Sequence, residues 1–170
     1  MKNRKLAKEI LQMAKVDQKI RKAFLKDASL SKELEKIDIS NLKRLKKIIK
    51  KFGWPTIQLV GKRASNLVWL LIQHADHDLK FQKYCLRLMI REAKRGNVLW
   101  ENVAYLTDRV LVNNDKPQLY GTQFYDTERE LIPREILDIS NLNKRRKGMG
   151  LEPFEKYKKK LIKYKRNTKR

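Results

Sequence analysis

This 170-residue chain has one cysteine, two histidines and only 19 acidic residues. A lone Cys85 excludes an intramolecular disulfide and every zinc site built on paired cysteines. With only His74 and His77, a three-histidine metal centre is excluded too. The six glycines form no phosphate-cradling Walker loop, no dinucleotide fingerprint after a strand and no nucleophile elbow around a serine. The longest uninterrupted apolar run, Leu67 to Ile72, is far too short to cross a bilayer, so no membrane span is expected. The chain opens on Met1-Lys2-Asn3-Arg4-Lys5 and passes into an amphipathic pattern without a signal-peptide core. Together with the near absence of cysteine, this gives the expectation of a reducing, cytoplasmic setting.

What is abundant is positive charge, 42 basic residues and a net charge of +23. It is unevenly placed. Residues 1–51 hold 17 basic and 6 acidic side chains, residues 52–142 hold 12 and 11, and residues 143–170 hold 13 and 2. The centre is near neutral and the two flanks are basic. Nucleic acid is therefore a possible partner for the flanks, set against a merely solvated basic surface. Tyr157 and Tyr164 are too few aromatics among the terminal charges to argue base stacking.

Hydrophobic periodicity predicts a mainly α fold: a compact bundle of about five to seven helices with one accessory β-hairpin, expected as a single domain over 1–170. The first helix runs from about Arg4 to Lys26 on the stripe Leu6, Ile10, Met13, Ile20 and Phe24. Asp17 interrupts that stripe, with Arg21 one turn on. A second helix follows Ser40 as N-cap and stops at Phe52-Gly53-Trp54-Pro55, where glycine suits the terminus and proline forbids continuation. A third starts near Ser65; its run Leu67 to Ile72 predicts burial on every face, ending in Gln73-His74-Ala75-Asp76-His77-Asp78. A fourth spans about Leu79 to Arg95 with Phe81, Cys85, Leu88 and Met89 inward, Cys85 reading as a core residue. A fifth spans about Trp100 to Asn113 on Leu99, Val103, Leu106 and Val110. Strand formers over Gln118–Tyr125 and Glu130–Ile136, with a turn at Asp126 to Arg129, predict the hairpin; Pro133 marks an edge. Short helices near 140–147 and 153–164 and frayed last residues complete the pattern.

Four polar groups carry the candidate chemistry. Asp17 and Gln18 stand either in an Asp17–Arg21 pair at the core edge or at the rim of a site. His74 admits three readings: a bond within the core beside a cap made by Asp76 or Asp78, acid–base chemistry, or a metal site with His77 and Asp76, Asp78 or Asp108. Asp108 opposes the dipole near the end of its helix, so it requires a tertiary partner, His74 or Arg21, or else a surface pair with Arg109 or a lysine. A buried Asp–His pair would fix the imidazole tautomer. Gln118, Thr122 and Gln123 beside Gly121 suit either hairpin packing or recognition of sugars, amides or bases.

Read in order, Asp17-Gln18, Gly53-Trp54-Pro55, Val60-Gly61, Ala64-Ser65, Gln73-His74-Ala75-Asp76, Leu106-Thr107-Asp108-Arg109 and Pro117-Gln118 to Gly121-Thr122-Gln123 resemble a bacterial domain family of unknown function. The resemblance spans nearly the whole chain, through Gly150-Leu151-Glu152-Pro153. It implies that Asp17, Gln18, His74, Asp76, Asp108, Arg109, Gln118 and Gln123 match the family's polar signature, and it implies no reaction or cofactor. The chain departs from the family in its lysine-rich flanks.

The expected site joins these groups into one polar pocket. In a small hydrolase or transferase, His74 would be the acid–base group, oriented by Asp108. Arg109 would bind an anionic group, Gln118 and Gln123 would position substrate, and Asp17, Gln18 and Asp76 would line the pocket. A non-catalytic module for a polar ligand or peptide is the alternative, and a basic RNA- or DNA-associated protein is another.

Overall fold

Asn3 begins the fold: its side chain accepts from the Leu6 N–H at 2.9 Å and caps α1, Arg4–Phe24. The computed structural model describes residues 2–127 and 130–168, with side chains described through residue 165. Those residues form eight α-helices and one two-stranded antiparallel hairpin, divided into two compact units. One unit runs to Leu99 and the other begins at Trp100.

In the first unit, α1 buries Leu6, Ala7, Ile10, Ala14, Asp17 and Ile20 along one face. It packs against α2 (Ser31–Phe52) and α4 (Lys62–Ile72). Helix α2 starts well before the expected Ser40 cap. Residues 31–40 include the good helix formers Lys32, Glu33, Leu34, Glu35 and Lys36, so Ser40 sits inside the helix rather than at its start. Its end is as expected: Gly53 takes φ +66°, and its N–H donates to the Ile49 carbonyl at 2.9 Å. A four-residue turn, α3 (Ile57–Val60), leads through Gly61 into α4. Helix α4 is not buried all round. Ala64, Ser65, Val68, Leu71 and Ile72 are buried, whereas Leu67, Trp69 and Leu70 are half-buried. It packs on α1, α2 and α3, and its remaining apolar face is left part-exposed. Asp78 caps α5 (Leu79–Ala93) by accepting from the Phe81 N–H at 2.9 Å. Cys85 is fully buried there, and burial pushes its thiol up to about 12, so it is a core residue and no nucleophile. Gln82, not Phe81, takes the buried place one turn before it.

The second unit is built on α6 (Trp100–Val112), which buries Val103, Ala104, Leu106, Asp108 and Val110. Leu99, expected on this stripe, is 48% exposed just ahead of the helix. The hairpin is shorter than its strand formers suggest. Strand β1 (Phe124–Asp126) pairs with β2 (Leu131–Pro133) in the register Phe124↔Pro133. The expected turn includes residues 128 and 129, which lie outside the described residues. Upstream, Gln118 meets Ile136 through a single parallel bridge, so residues 119–123 double back instead of extending the ladder. Helices α7 (Leu142–Gly148) and α8 (Phe154–Thr168) follow. The expected fraying of the last residues falls largely outside the described side chains.

Gly121 makes that reversal possible. Its φ is +66°, and an added Cβ would lie 2.8 Å from Cε2 of the buried Phe154 ring. Gly53 has the same φ with open space around it. Chemical denaturation should therefore rank the two alanine variants. Gly53→Ala loses about 1–2 kcal/mol from backbone strain alone, and Gly121→Ala about 2–4 kcal/mol because overpacking is added. Equal losses would contradict the tight approach to Phe154.

Candidate functional site

Asp17 lies on the core-facing stripe of α1, fully buried, where a lone carboxylate could not remain ionised without donors. Three side chains supply them. Gln18 Nε2 donates to Oδ2 at 2.8 Å, and Arg21 Nε approaches Oδ1 and Oδ2 at 3.2 and 3.3 Å. His74 Nδ1 lies 3.0 Å from Oδ1. His74 reaches this place because α4 ends at Ile72 and the chain then turns, with the His74 N–H donating to the Leu71 carbonyl. The guanidinium of Arg21 also holds Asp38 of α2 through Nη2.

The imidazole is tied at one nitrogen. Nδ1 faces Asp17 Oδ1 and is also 3.0 Å from Arg21 Nε. With its proton on Nδ1, His74 donates to Asp17; with it on Nε2, Nδ1 accepts from Arg21. Nε2 has no hydrogen-bond partner among the described residues, and the side chain keeps 13% exposure. Burial pushes the Asp17 carboxyl up, but the hydrogen bonds from His74 and Gln18 and the charges of His74 and Arg21 outweigh it and hold it below the ordinary range. At Asp38 burial prevails over the pull of Arg21, and the carboxyl moves up. One guanidinium faces two carboxylates, so with a neutral imidazole the cluster carries one excess negative charge. One ligand atom from each of Asp17, Asp38 and His74 lies within 4.8 Å of the others, a spacing that could hold a cation.

The second unit holds a separate polar network. Asp108 is fully buried and accepts from the N–H groups of Leu119 (2.8 Å), Tyr120 (3.0 Å) and Thr122 (3.0 Å) and from the Thr122 hydroxyl (2.9 Å). Burial pushes its carboxyl up, opposed by those four donors. Gln118 is also fully buried; Nε2 donates to the carbonyls of Gln123 and Arg134, and Oε1 accepts from the Gln123 N–H. Gln123 in turn donates to the Thr122 hydroxyl, and Arg109 reaches Gln123 Oε1 at 3.4 Å.

The sequence-derived candidates therefore fall into two groups. Asp17, Gln18 and His74 come together in the first unit. Asp108, Arg109, Gln118 and Gln123 come together in the second. Asp76 accepts from Gln82 Nε2 at 2.9 Å beside the first group. Both readings of Asp108 are corrected: its carboxylate is buried rather than in a surface pair, and its bonds come from the turn 119–122 rather than from His74 or Arg21. Asp38 escaped the sequence reading because α2 was expected to start after it. Carried one turn back, the buried face Asn41, Leu42 and Leu45 would have placed Asp38 on the same side.

The chain belongs to the Family of unknown function (DUF6624), whose family model matches residues 4–166. No curated protein and no solved structure matches it. No helix among the described residues is long and apolar enough to cross a membrane.

Two consequences are measurable. Because the folded state holds the Asp17 carboxyl below its ordinary value, Asp17 contributes stability that is present above that value and lost as pH falls through the folded one. Thermal melts across the acid range should show a shallower acid limb for Asp17→Asn than for the parent, and parallel limbs would contradict the assignment. Asp108→Asn sets an amide N–H₂ against donors and should cost about 2–4 kcal/mol by denaturant titration.

Proposed function

We propose that this DUF6624 member carries a histidine–carboxylate acid–base centre, with His74 Nε2 as the group that exchanges the proton and Asp17 as its orienting partner. The observation that carries this reading is the fully buried Asp17 carboxylate bonded to Nδ1 of an imidazole whose other nitrogen is free. An aspartate on Nδ1 selects the tautomer with a lone pair on Nε2 and stabilises the imidazolium once that lone pair takes a proton. His74, Gln18 and Arg21 together outweigh burial and hold the Asp17 carboxyl low, and Arg21 ties it to Asp38. The reaction class this arrangement suits is attack by water or a substrate hydroxyl on an electrophilic centre, hydrolysis or group transfer, with Nε2 removing the nucleophile's proton.

The substrate would approach along the first unit's surface. A groove of about 450 Å³ between α1 and α4 has Leu11, Ala14 and Leu67 along it, Lys8, Lys15 and Arg63 at its edges, and reaches Gln18 beside Asp17. Its cations and aliphatic floor favour a substrate with an anionic group and an apolar portion. In this reading Asp108, Gln118 and Gln123 brace the second unit's turn and take no part in the proton transfer.

A second reading rests on the spacing of Asp17, Asp38 and His74 and their excess negative charge: a divalent cation held by these three, with Arg21 displaced. Asp38 separates the two. A screen of ester, phosphoester and amide substrates should reveal a turnover that His74→Ala lowers by ~10²–10⁴-fold. Asp17→Asn should lower it too, and Asp38→Asn should leave most of it. Turnover indifferent to His74→Ala would sink the acid–base reading. Turnover that needs added Mn²⁺ or Zn²⁺ and vanishes in Asp38→Asn would replace it with the metal reading.

A further inference from the structure

The second unit buries a whole guanidinium with no carboxylate in hydrogen-bond contact; Asp108 and Glu152 act on it only through space. Arg146 of α7 is fully buried, and no ion pair to it exists among the described residues. Nε donates to the Glu152 carbonyl at 2.7 Å and Nη1 to the Tyr120 carbonyl, while Nη2 is buried with no acceptor. The rings of Tyr157 and Phe154 lie 4.9 and 5.8 Å from the guanidinium carbon. Aromatic faces, two carbonyls and the through-space charges of Asp108 and Glu152 offset part of the cost of burying this cation, but no carboxylate touches it and Nη2 stays unbonded.

Arg146 stands at the wall of a cavity of about 250 Å³. Tyr105, Tyr157, Glu101, Glu152 and Lys160 line it as well. Burial, then the neighbouring Tyr105, push the Tyr157 phenol up, so it remains a neutral hydroxyl. Lys160 and Glu152 neutralise each other at 2.8 Å. Among the lining residues two charges then remain: the inner guanidinium and the exposed carboxylate of Glu101, which has no ion-pair partner among the described residues. The cavity is thus positive at its inner wall and negative at its mouth. A dianion such as phosphate would meet the Glu101 charge, and a simple cation would meet Arg146.

We propose that this cavity binds a small zwitterion of the α-amino-acid class, its carboxylate accepting from the unbonded Nη2 of Arg146 and its ammonium facing Glu101. The volume suits a ligand of that size rather than a larger one. The site is independent of the His74 centre and stands or falls without it.

The test uses the full chain. The standard amino acids, acetate, methylamine and inorganic phosphate are screened by thermal shift, hits are titrated calorimetrically, and amide spectra locate the perturbed residues. At least one amino acid should raise Tm and perturb residues 101, 146 and 150–152. Arg146 variants risk unfolding, since the side chain ties down two carbonyls. Glu101→Gln is the informative change: Glu101 is exposed, so Tm without ligand should hold while affinity for the amino acid falls by about tenfold or more. Lys160→Ala serves as a charge control and should change affinity less. No response to any amino acid overturns the proposal. So does a response to phosphate or acetate alone, or an affinity that Glu101→Gln leaves unchanged.

Discussion

Each unit has a carboxylate in its interior, and neither Asp17 nor Asp108 could remain there as an anion without donors brought from other parts of the chain. That requirement orders much of the polar structure. In the first unit it draws together α1, α2 and the end of α4, because Arg21, Asp38 and His74 are all engaged directly or through one another. In the second it fixes the turn after α6, because the N–H groups of Leu119, Tyr120 and Thr122 converge on a single side chain.

The two solutions differ in kind. Asp108 is met by backbone amides and a hydroxyl, groups that do not titrate in the working range of proteins. Its job is complete once the turn is fixed. The same convergence explains the short hairpin: amides spent on Asp108 are lost to a β-ladder, so pairing resumes only at Phe124. Asp17 is met by side chains, one of them an imidazole with its second nitrogen free. A partner of that kind can change protonation state, which is what acid–base chemistry or a metal site requires. Arg146 is the opposite case, a buried cation whose Nη2 has no hydrogen-bond partner among the described residues.

Much of this was legible beforehand. The mainly helical fold with one hairpin, the stop at Gly53-Trp54-Pro55, a cap from Asp76 or Asp78 (the structure gives Asp78) and the core place of Cys85 follow from periodicity and end signals that act over a few residues. Asp17 stood out because it broke a stripe, and Asp108 because it opposed a helix dipole. Less legible were features set by neighbours. The start of α2 depended on helix formers that carry no stop signal before Ser40. The half-buried face of α4 depended on which side lacks a packing partner, although its residues are apolar all round.

The sequence by itself determined that Asp17 interrupts the apolar stripe of its helix and that Asp108 opposes a helix dipole; that both carboxylates are fully buried was decided by tertiary structure. Which donors answer those charges was decided by tertiary structure. Side-chain amides, guanidinium, imidazole and backbone N–H groups all satisfy a carboxylate, and spacing along the chain does not distinguish among them. Only the packing of α1 with α2 and α4 brought His74 and Asp38 to Asp17, and only the reversal at Gly121 turned three backbone amides toward Asp108.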